Sequence, residues 1–567
     1  MKQWKQTLLS GKPGRAEKVI LLIYPVLLAV LTGFHEFSFD ELQAWQIARS
    51  ASVPEILFSV EHYEGHPPLW HLLLAVFARA GVSFRIALPL VNIAFCTAAM
   101  AVLLFRSPFP KIIRCALPFS YYLFYQYGVL CRPYSMLMLA MLLAASNYHQ
   151  RNAHPWKYIL SLCLLCLSSA FGMLIAGIFC LFWTVEIIRE LIQNGTFSAF
   201  FHSARFFSLL LILLLAIGLL ALIRPAEDCY YDGMLTGAPL LQRFTMPEYW
   251  LSWLALPFDI WFGQQIGLDK NIVTSQGIII EAFLGLVLLA AVGLILHHNR
   301  MLLFGMLPYL FISFFMVFYY YSVHHLGILA LLHVFTAWIL LEKQPEIPPL
   351  LRKCGKLSPP LKKSLGFLAA AVGCIPVIFS LAAGVLELRL PYTSIEFDRI
   401  VRENHLDETK IITSWVTIYE DEEGRPFRDL RMPWMTHYMP ARHPKVRYQL
   451  TDIDGLNTVL TAYAGRNYFL NYNMECPDDL YMHYRWKPDA SHEMELMKER
   501  GLPDFIIGYA PIDEVYGDEL LQGVKYVAVK EVWDYRIYKA SYYDKVNYLF
   551  IREDLLPAYP QFHKLFQ

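Results

Sequence analysis

The chain has 567 residues, 56% of them hydrophobic and only 17% charged, with the apolar residues gathered in long blocks. That pattern excludes a soluble globular protein and indicates a polytopic α-helical membrane protein. Lysine plus arginine and aspartate plus glutamate number 48 each, so no net field draws the protein to nucleic acid and only the local distribution of charge is informative.

The N-terminus, MKQWKQTLLSGKPGRAEK, is basic and precedes the apolar run 19–33. This is the pattern of an uncleaved signal-anchor helix with a cytoplasmic N-terminus, a cleaved signal peptide being the alternative. Further apolar blocks predict helices at 85–105, 112–130, 133–148, 157–171, 172–191, 205–223, 276–297, 301–321, 324–342 and 364–386, about eleven spans in all. The block 68–80, with Arg79 at one end, is too short to cross and reads as an interfacial helix.

Basic residues in short loops mark the cytoplasmic side, and the alternate loops 106–114, 149–157, 189–205, 297–300 and 342–363 all carry them. The last includes Arg352, Lys353, Lys356, Lys362 and Lys363. The opposite, external face then receives 35–83, the turn at 131–134, the loop 224–276, the turn at 319–325 and everything after Glu387. The sequon Asn194-Gly195-Thr196 falls on the cytoplasmic side and is discounted.

Residues 1–386 thus form a membrane domain and 387–567 a soluble α/β domain on the external side. In the latter, short β-rich runs (410–419, 504–510, 524–540) alternate with helical stretches at 395–404 and 490–500. Its single Cys476 leaves no partner for an internal disulfide. Cys163 and Cys166 have C-x-x-C spacing, but inside LSLCLLCLSS they read as small buried hydrophobes.

Four polar constellations converge on the external face. Asp40 and Glu41 follow the first span directly; on a helix, neighbours diverge by about 100°, so one can face a reacting atom as general base while the other orients it or is solvated. Asp40 could instead cap the helix over 41–50. His66-Pro67-Pro68-Leu69 sets a titratable ring before a proline-started helix, where it can donate to a phosphate or hold a catalytic acid. His62, Glu61 and Glu64 could complete a metal site with His66, without a diagnostic ligand spacing. Arg132-Pro133-Tyr134 opens a span, and an arginine there either snorkels or binds an anion such as phosphate. His324-His325 opens a later span, where adjacent positions predict that only one ring faces inward.

An acidic pair after the first span, then HPPL, then RPY at an external helix start, then an aromatic-rich polar turn late in the membrane domain, resembles the polytopic GT-C glycosyltransferases. The nearest likeness is to the bacterial branch of the protein O-mannosyltransferase family, with the aminoarabinose transferases and RgtA/B/C/D-like enzymes. The resemblance covers about residues 1–345 and implies a GT-C fold. It also implies an inverting, external-face transfer of sugar from a polyprenyl-phosphate-linked donor to a glycan, lipid or protein acceptor, in the cytoplasmic (inner) membrane. By this likeness Asp40 is the catalytic acid with Glu41 beside it. His66, Arg132, Tyr134, His324 and His325 form the donor and phosphate side. Relatives commonly carry an arginine or lysine where this chain has His324 and His325. No cofactor is certain, and a divalent cation is possible. A lipid-linked glycan polymerase or ligase, and a transporter, are the alternatives; no repeated organisation of the transporter kind is visible.

Overall fold

Among the described residues, six of the apolar blocks fold as helices long and apolar enough to cross a bilayer. They are α1 (Arg15–Phe34), α4 (Phe84–Arg106), α7 (Ala170–Asn194), α8 (Ala204–Leu222), α10 (Ser275–His298) and α12 (Val323–Glu342). The computed structural model describes residues 13–226, 240–263, 275–319, 323–346, 348, 359–388, 393–414, 416–420, 447–450, 455–472, 491–508, 521–534 and 545–566. Cys476, Arg352, Lys353 and Lys356 lie outside the described residues.

The remaining expected spans take other forms. Blocks 133–148, 157–171 and 301–321 become the shorter helices α5 (Tyr134–Tyr148), α6 (Pro155–Cys166) and α11 (Leu302–Phe318), and 364–386 lies within α13 (Pro359–Glu387). Residues 68–80 form α3 (Leu69–Arg79), with Pro68 as its N-cap, and the expected external loop 224–276 contains α9 (Pro247–Phe258).

The expected continuous helix over 112–130 is not there. Lys111–Ala116 is helical, Leu117–Phe119 is a 3-10 turn around Pro118, and Tyr121–Val129 winds as a π-helix whose nine residues are all buried. Proline removes a backbone donor, and the wide turn leaves carbonyls needing partners away from water. Neighbouring side chains supply them. The Tyr24 hydroxyl donates to Leu123 O at 2.7 Å, and Asn92 Nδ2 donates to Tyr127 O at 3.1 Å and Gly128 O at 2.8 Å.

Burial sorts the long helices. The apolar window of α12 is 72% buried, against 17% for α8 and 22% for α10, so α12 is central while α8 turns leucines such as Leu213, Leu214 and Leu220 outward. Exposed leucine over most of a helix surface is what a lipid solvent requires.

A second core lies beneath α2 (Phe39–Ser50) and α3, from Leu42, Trp45, Trp70, Leu74 and Phe84, and it takes in Val459 and Ala462. Those two belong to α15 (Gly455–Ala464), which follows α14 (Thr393–Glu403) in the C-terminal region. There β1 (Ile411–Thr413), β4 (Phe505–Gly508), β6 (Lys545–Arg552) and β5 (Tyr526–Asp534) form one sheet in the order β1-β4-β6-β5, and β2 (Val416–Glu420) pairs with β3 (Arg447–Leu450). β1 and β4 are parallel, while β4–β6 and β5–β6 are antiparallel. α16 (Ser491–Arg500) matches the expected helix at 490–500, whereas α15 and β6 were not anticipated.

Candidate functional site

The chain leaves α1 at His35 and re-enters a helix at Phe39, and the way α2 starts assigns the two adjacent acids different tasks. Ser38, not Asp40, is the N-cap. Glu41 closes a capping box, accepting from Ser38 N at 2.8 Å and Ser38 Oγ at 2.9 Å. The same oxygen lies 3.0 Å from His35 Nε2, and the other accepts from Cys131 N at 2.6 Å. Glu41 is fully buried, so it is neither solvated nor open to a substrate.

His35 is held on its far side by Glu387 at the end of α13, 3.0 Å from Nδ1, and the Tyr125 hydroxyl donates to Glu387 at 2.5 Å. Burial alone would push the His35 pKa down. The carboxylates of Glu41 and Glu387 outweigh it and raise it to about 10. Burial would likewise raise Glu41, but the charge and hydrogen bond of His35, with the two backbone amides, bring its pKa below the ordinary value.

Asp40 turns to the other side. Its Oδ2 meets Arg132 Nη1 at 3.0 Å, with 12% and 10% of the two side chains exposed, so the pair is reachable where Glu41 is not. Arg132 also contacts the His324 ring, 3.1 Å from Nδ1. A guanidinium only donates, so the ring nitrogen accepts.

Tyr134 is the hub of the remaining contacts. Arg132 lies 5.2 Å from its ring centre, His324 at 5.0 Å, His325 at 5.9 Å and His66 at 6.4 Å, with Tyr127 stacked at 5.4 Å. Asp40, His66, Arg132, Tyr134, His324 and His325, drawn from separate parts of the chain, therefore form one cluster. Both His324 and His325 are buried, 4.2 Å apart, which corrects the expectation of one inward ring. The start of α12 is enclosed on more than one side, with Tyr134 against both rings and Phe171 against His325.

A second polar group adjoins Asp40. Gln43, one turn along α2, donates to Glu64 Oε1 at 2.5 Å, and His71 of α3 lies 3.2 Å from Glu61 Oε1 and 3.9 Å from Glu64 Oε2. Burial lifts the Glu64 carboxyl to about 7 against the pull of His71 and Gln43, with Glu61 and Asp40 adding to the rise. Burial, then the positive charges of Arg132 and His71, take His66 down to about 3, so it is a neutral ring, and its Nδ1 is buried without a hydrogen-bond partner among the described residues.

The metal site considered for His62, Glu61, Glu64 and His66 does not form: the acids turn to His71, and His62 Nδ1 contacts Arg224 O at 2.6 Å. Among the described residues no group of three or more His, Cys, Asp or Glu could hold a metal. His71 and Glu387 escaped the sequence reading, although a histidine inside LWHLLLAVF and a glutamate closing an apolar run are the kind of costly residue that signals a buried partner.

The site helix is braced from the C-terminal region. The Tyr463 hydroxyl accepts from Phe37 N at 2.9 Å, Gln46 Nε2 donates to Thr461 Oγ1 at 3.2 Å, and Glu36 Oε1 accepts from Ser394 N at 2.8 Å.

No family of known proteins, no curated protein and no solved structure matches this chain.

Proposed function

We propose that the protein is a multi-pass membrane glycosyltransferase of the GT-C type, transferring sugar from a polyprenyl-phosphate donor to a glycan, lipid or protein acceptor on the external face of the cytoplasmic membrane. The observation that carries this reading is the partly exposed Asp40–Arg132 pair, 3.0 Å apart, with Tyr134 and His324 against Arg132 and the His66 and His325 rings against Tyr134. A carboxylate and an anion-binding guanidinium side by side are what a displacement at a phosphate-bonded carbon needs. The topology in this reading has about eleven crossings, with α5, α6, α11, α13 and the broken 112–130 segment completing the six long helices. In the same reading the C-terminal domain belongs to the external side.

In the reaction the donor phosphate takes Arg132 from Asp40, and the released carboxylate accepts the proton of the acceptor hydroxyl. That oxygen bonds to the anomeric carbon from the face opposite the phosphate, the carbon–oxygen bond to phosphate breaks, and configuration inverts. The polyprenyl phosphate leaves with the electron pair, its charge met by Arg132. Neutral His66 and the His324 and His325 rings supply donors to the remaining phosphate oxygens.

The test is transfer of radiolabelled sugar from a panel of synthetic polyprenyl-phosphate sugars by the purified protein, wild type against Asp40→Asn. Transfer lost in the variant, with donor binding kept, supports the reading. Undiminished transfer removes Asp40 as base, and no transfer from any donor turns the assignment to a polymerase, ligase or transporter.

A further inference from the structure

α5 and α12 both begin at the candidate site, with Arg132 and Tyr134 at the head of one and His324 at the head of the other. Their far ends, 15 and 20 residues on, lie roughly 20–30 Å away at 1.5 Å per residue. At that far end is an open cleft of about 760 Å³ between α4, α5, α6 and α12.

Two cations border it: Arg106, the last residue of α4, and Lys157, in the first turn of α6. Both are exposed, and neither is in an ion pair among the described residues. A lysine in the first turn also faces the positive end of its own helix, an arrangement unfavourable on its own that a bound anion relieves. Asn147 and Ser161 add hydrogen-bonding groups; Asn147 Nδ2 donates to Ser161 Oγ at 3.1 Å and fixes the wall between α5 and α6. Among the described lining residues the one carboxylate is Glu342, which accepts from Trp338 Nε1 at 2.9 Å and pairs with His149 Nε2 at 2.9 Å. The cleft opens past Leu143 and the exposed Leu160, with Trp156 also exposed nearby. Apolar side chains below basic ones, with a tryptophan at the rim, match the boundary between acyl chains and head groups.

We infer that this cleft is a binding site for the phosphate head group of an anionic phospholipid, clasped by Arg106 and Lys157 with its acyl chains running along Leu160. The site is separate from the Asp40–Arg132 centre and does not depend on glycosyl transfer.

The experiment is native mass spectrometry of the full-length protein equilibrated with phosphatidylglycerol or phosphatidylcholine, for wild type, Arg106→Gln/Lys157→Gln and Arg106→Lys/Lys157→Arg. A Lys or Arg near the surface contributes about 1 kcal/mol toward anionic lipid, so the double glutamine variant is expected to lose roughly tenfold or more of the wild-type preference for phosphatidylglycerol. The charge-conserving variant keeps most of it. Equal preference in wild type and the glutamine variant overturns the inference. Titration with inorganic phosphate separates the sources of the same chemistry: saturable phosphate binding that needs both cations, with no discrimination between the two lipids, makes the ligand a free anion and overturns the lipid assignment. Both cations are exposed, and unchanged thermal unfolding of the variants establishes that the comparison is between folded proteins.

Discussion

Replacing each of the two adjacent acids by its amide separates the roles the structure gives them. Glu41 is fully buried and receives Ser38 N, Ser38 Oγ, Cys131 N and His35 across its two oxygens. Glutamine keeps one acceptor oxygen and turns an NH₂ toward either Ser38 or Cys131, setting donor against donor. His35 then keeps its charge with Glu387 alone. Removing one partner of a fully buried ion pair costs about 3–5 kcal/mol, a large fraction of the stability of an ordinary domain. Asp40→Asn breaks a pair whose side chains are 12% and 10% exposed, between the buried and surface cases, so about 1–2 kcal/mol is expected. Unfolding of both variants in mixed micelles, read by intrinsic fluorescence, gives the order directly. Glu41→Gln within about 1 kcal/mol of wild type, or less damaging than Asp40→Asn, would falsify the division of labour.

Two further perturbations follow from the same surroundings. The His35 pKa, raised from 6.5 to about 10, means that its contribution is fully present below pH 6.5 and lost as pH rises through 10, and His35→Gln should abolish that alkaline limb of a stability–pH profile. Glu64 has the opposite consequence: with its carboxyl at about 7 instead of 4.5, the folded state holds a proton the unfolded chain has released, so stability falls between pH 4.5 and 7, and Glu64→Gln should flatten that region. At Gly327 an added Cβ would sit 2.4 Å from the Tyr127 hydroxyl and 2.8 Å from Tyr122. Gly327→Ala is expected to cost about 1–3 kcal/mol by overpacking and, on the proposed function, to weaken donor binding, since Tyr127 stacks on Tyr134; thermal unfolding and donor titration check both.

Where the sequence carried a long apolar run, the helix lies within a few residues of the expected place, as at Arg15–Phe34, Phe84–Arg106 and Val323–Glu342. Continuous apolar patterning leaves a helix as the economical solution in lipid. The break at 112–130 was not legible because hydropathy is blind to backbone winding: Pro118 was visible, but the carbonyl partners Asn92 and Tyr24 sit on other helices. The pairing of His324 with His325 was hidden for a related reason, since a single-face rule fails for a helix packed on several sides. At the site, the residue types were readable from HPPL, RPY and the acid pair. Which acid is buried was decided by Ser38, three residues before Glu41, and by Cys131 and His35, whose proximity only the fold supplies.

The same contacts explain why α2 can present a carboxylate to a guanidinium without drifting. Its first turn is fixed through Glu41 to His35 and Cys131, its next turn through Gln43 to Glu64, and its far end through Gln46 to Thr461 of α15. A helix pinned on three sides loses little further freedom when a ligand arrives, and such preorganisation lets an electrostatic site act without first spending interaction energy on ordering itself. The third contact comes from the C-terminal region, which thereby completes the support of the helix that carries Asp40. Loss of the Gln46–Thr461 contact would therefore be felt at the Asp40–Arg132 pair, about two turns of helix away.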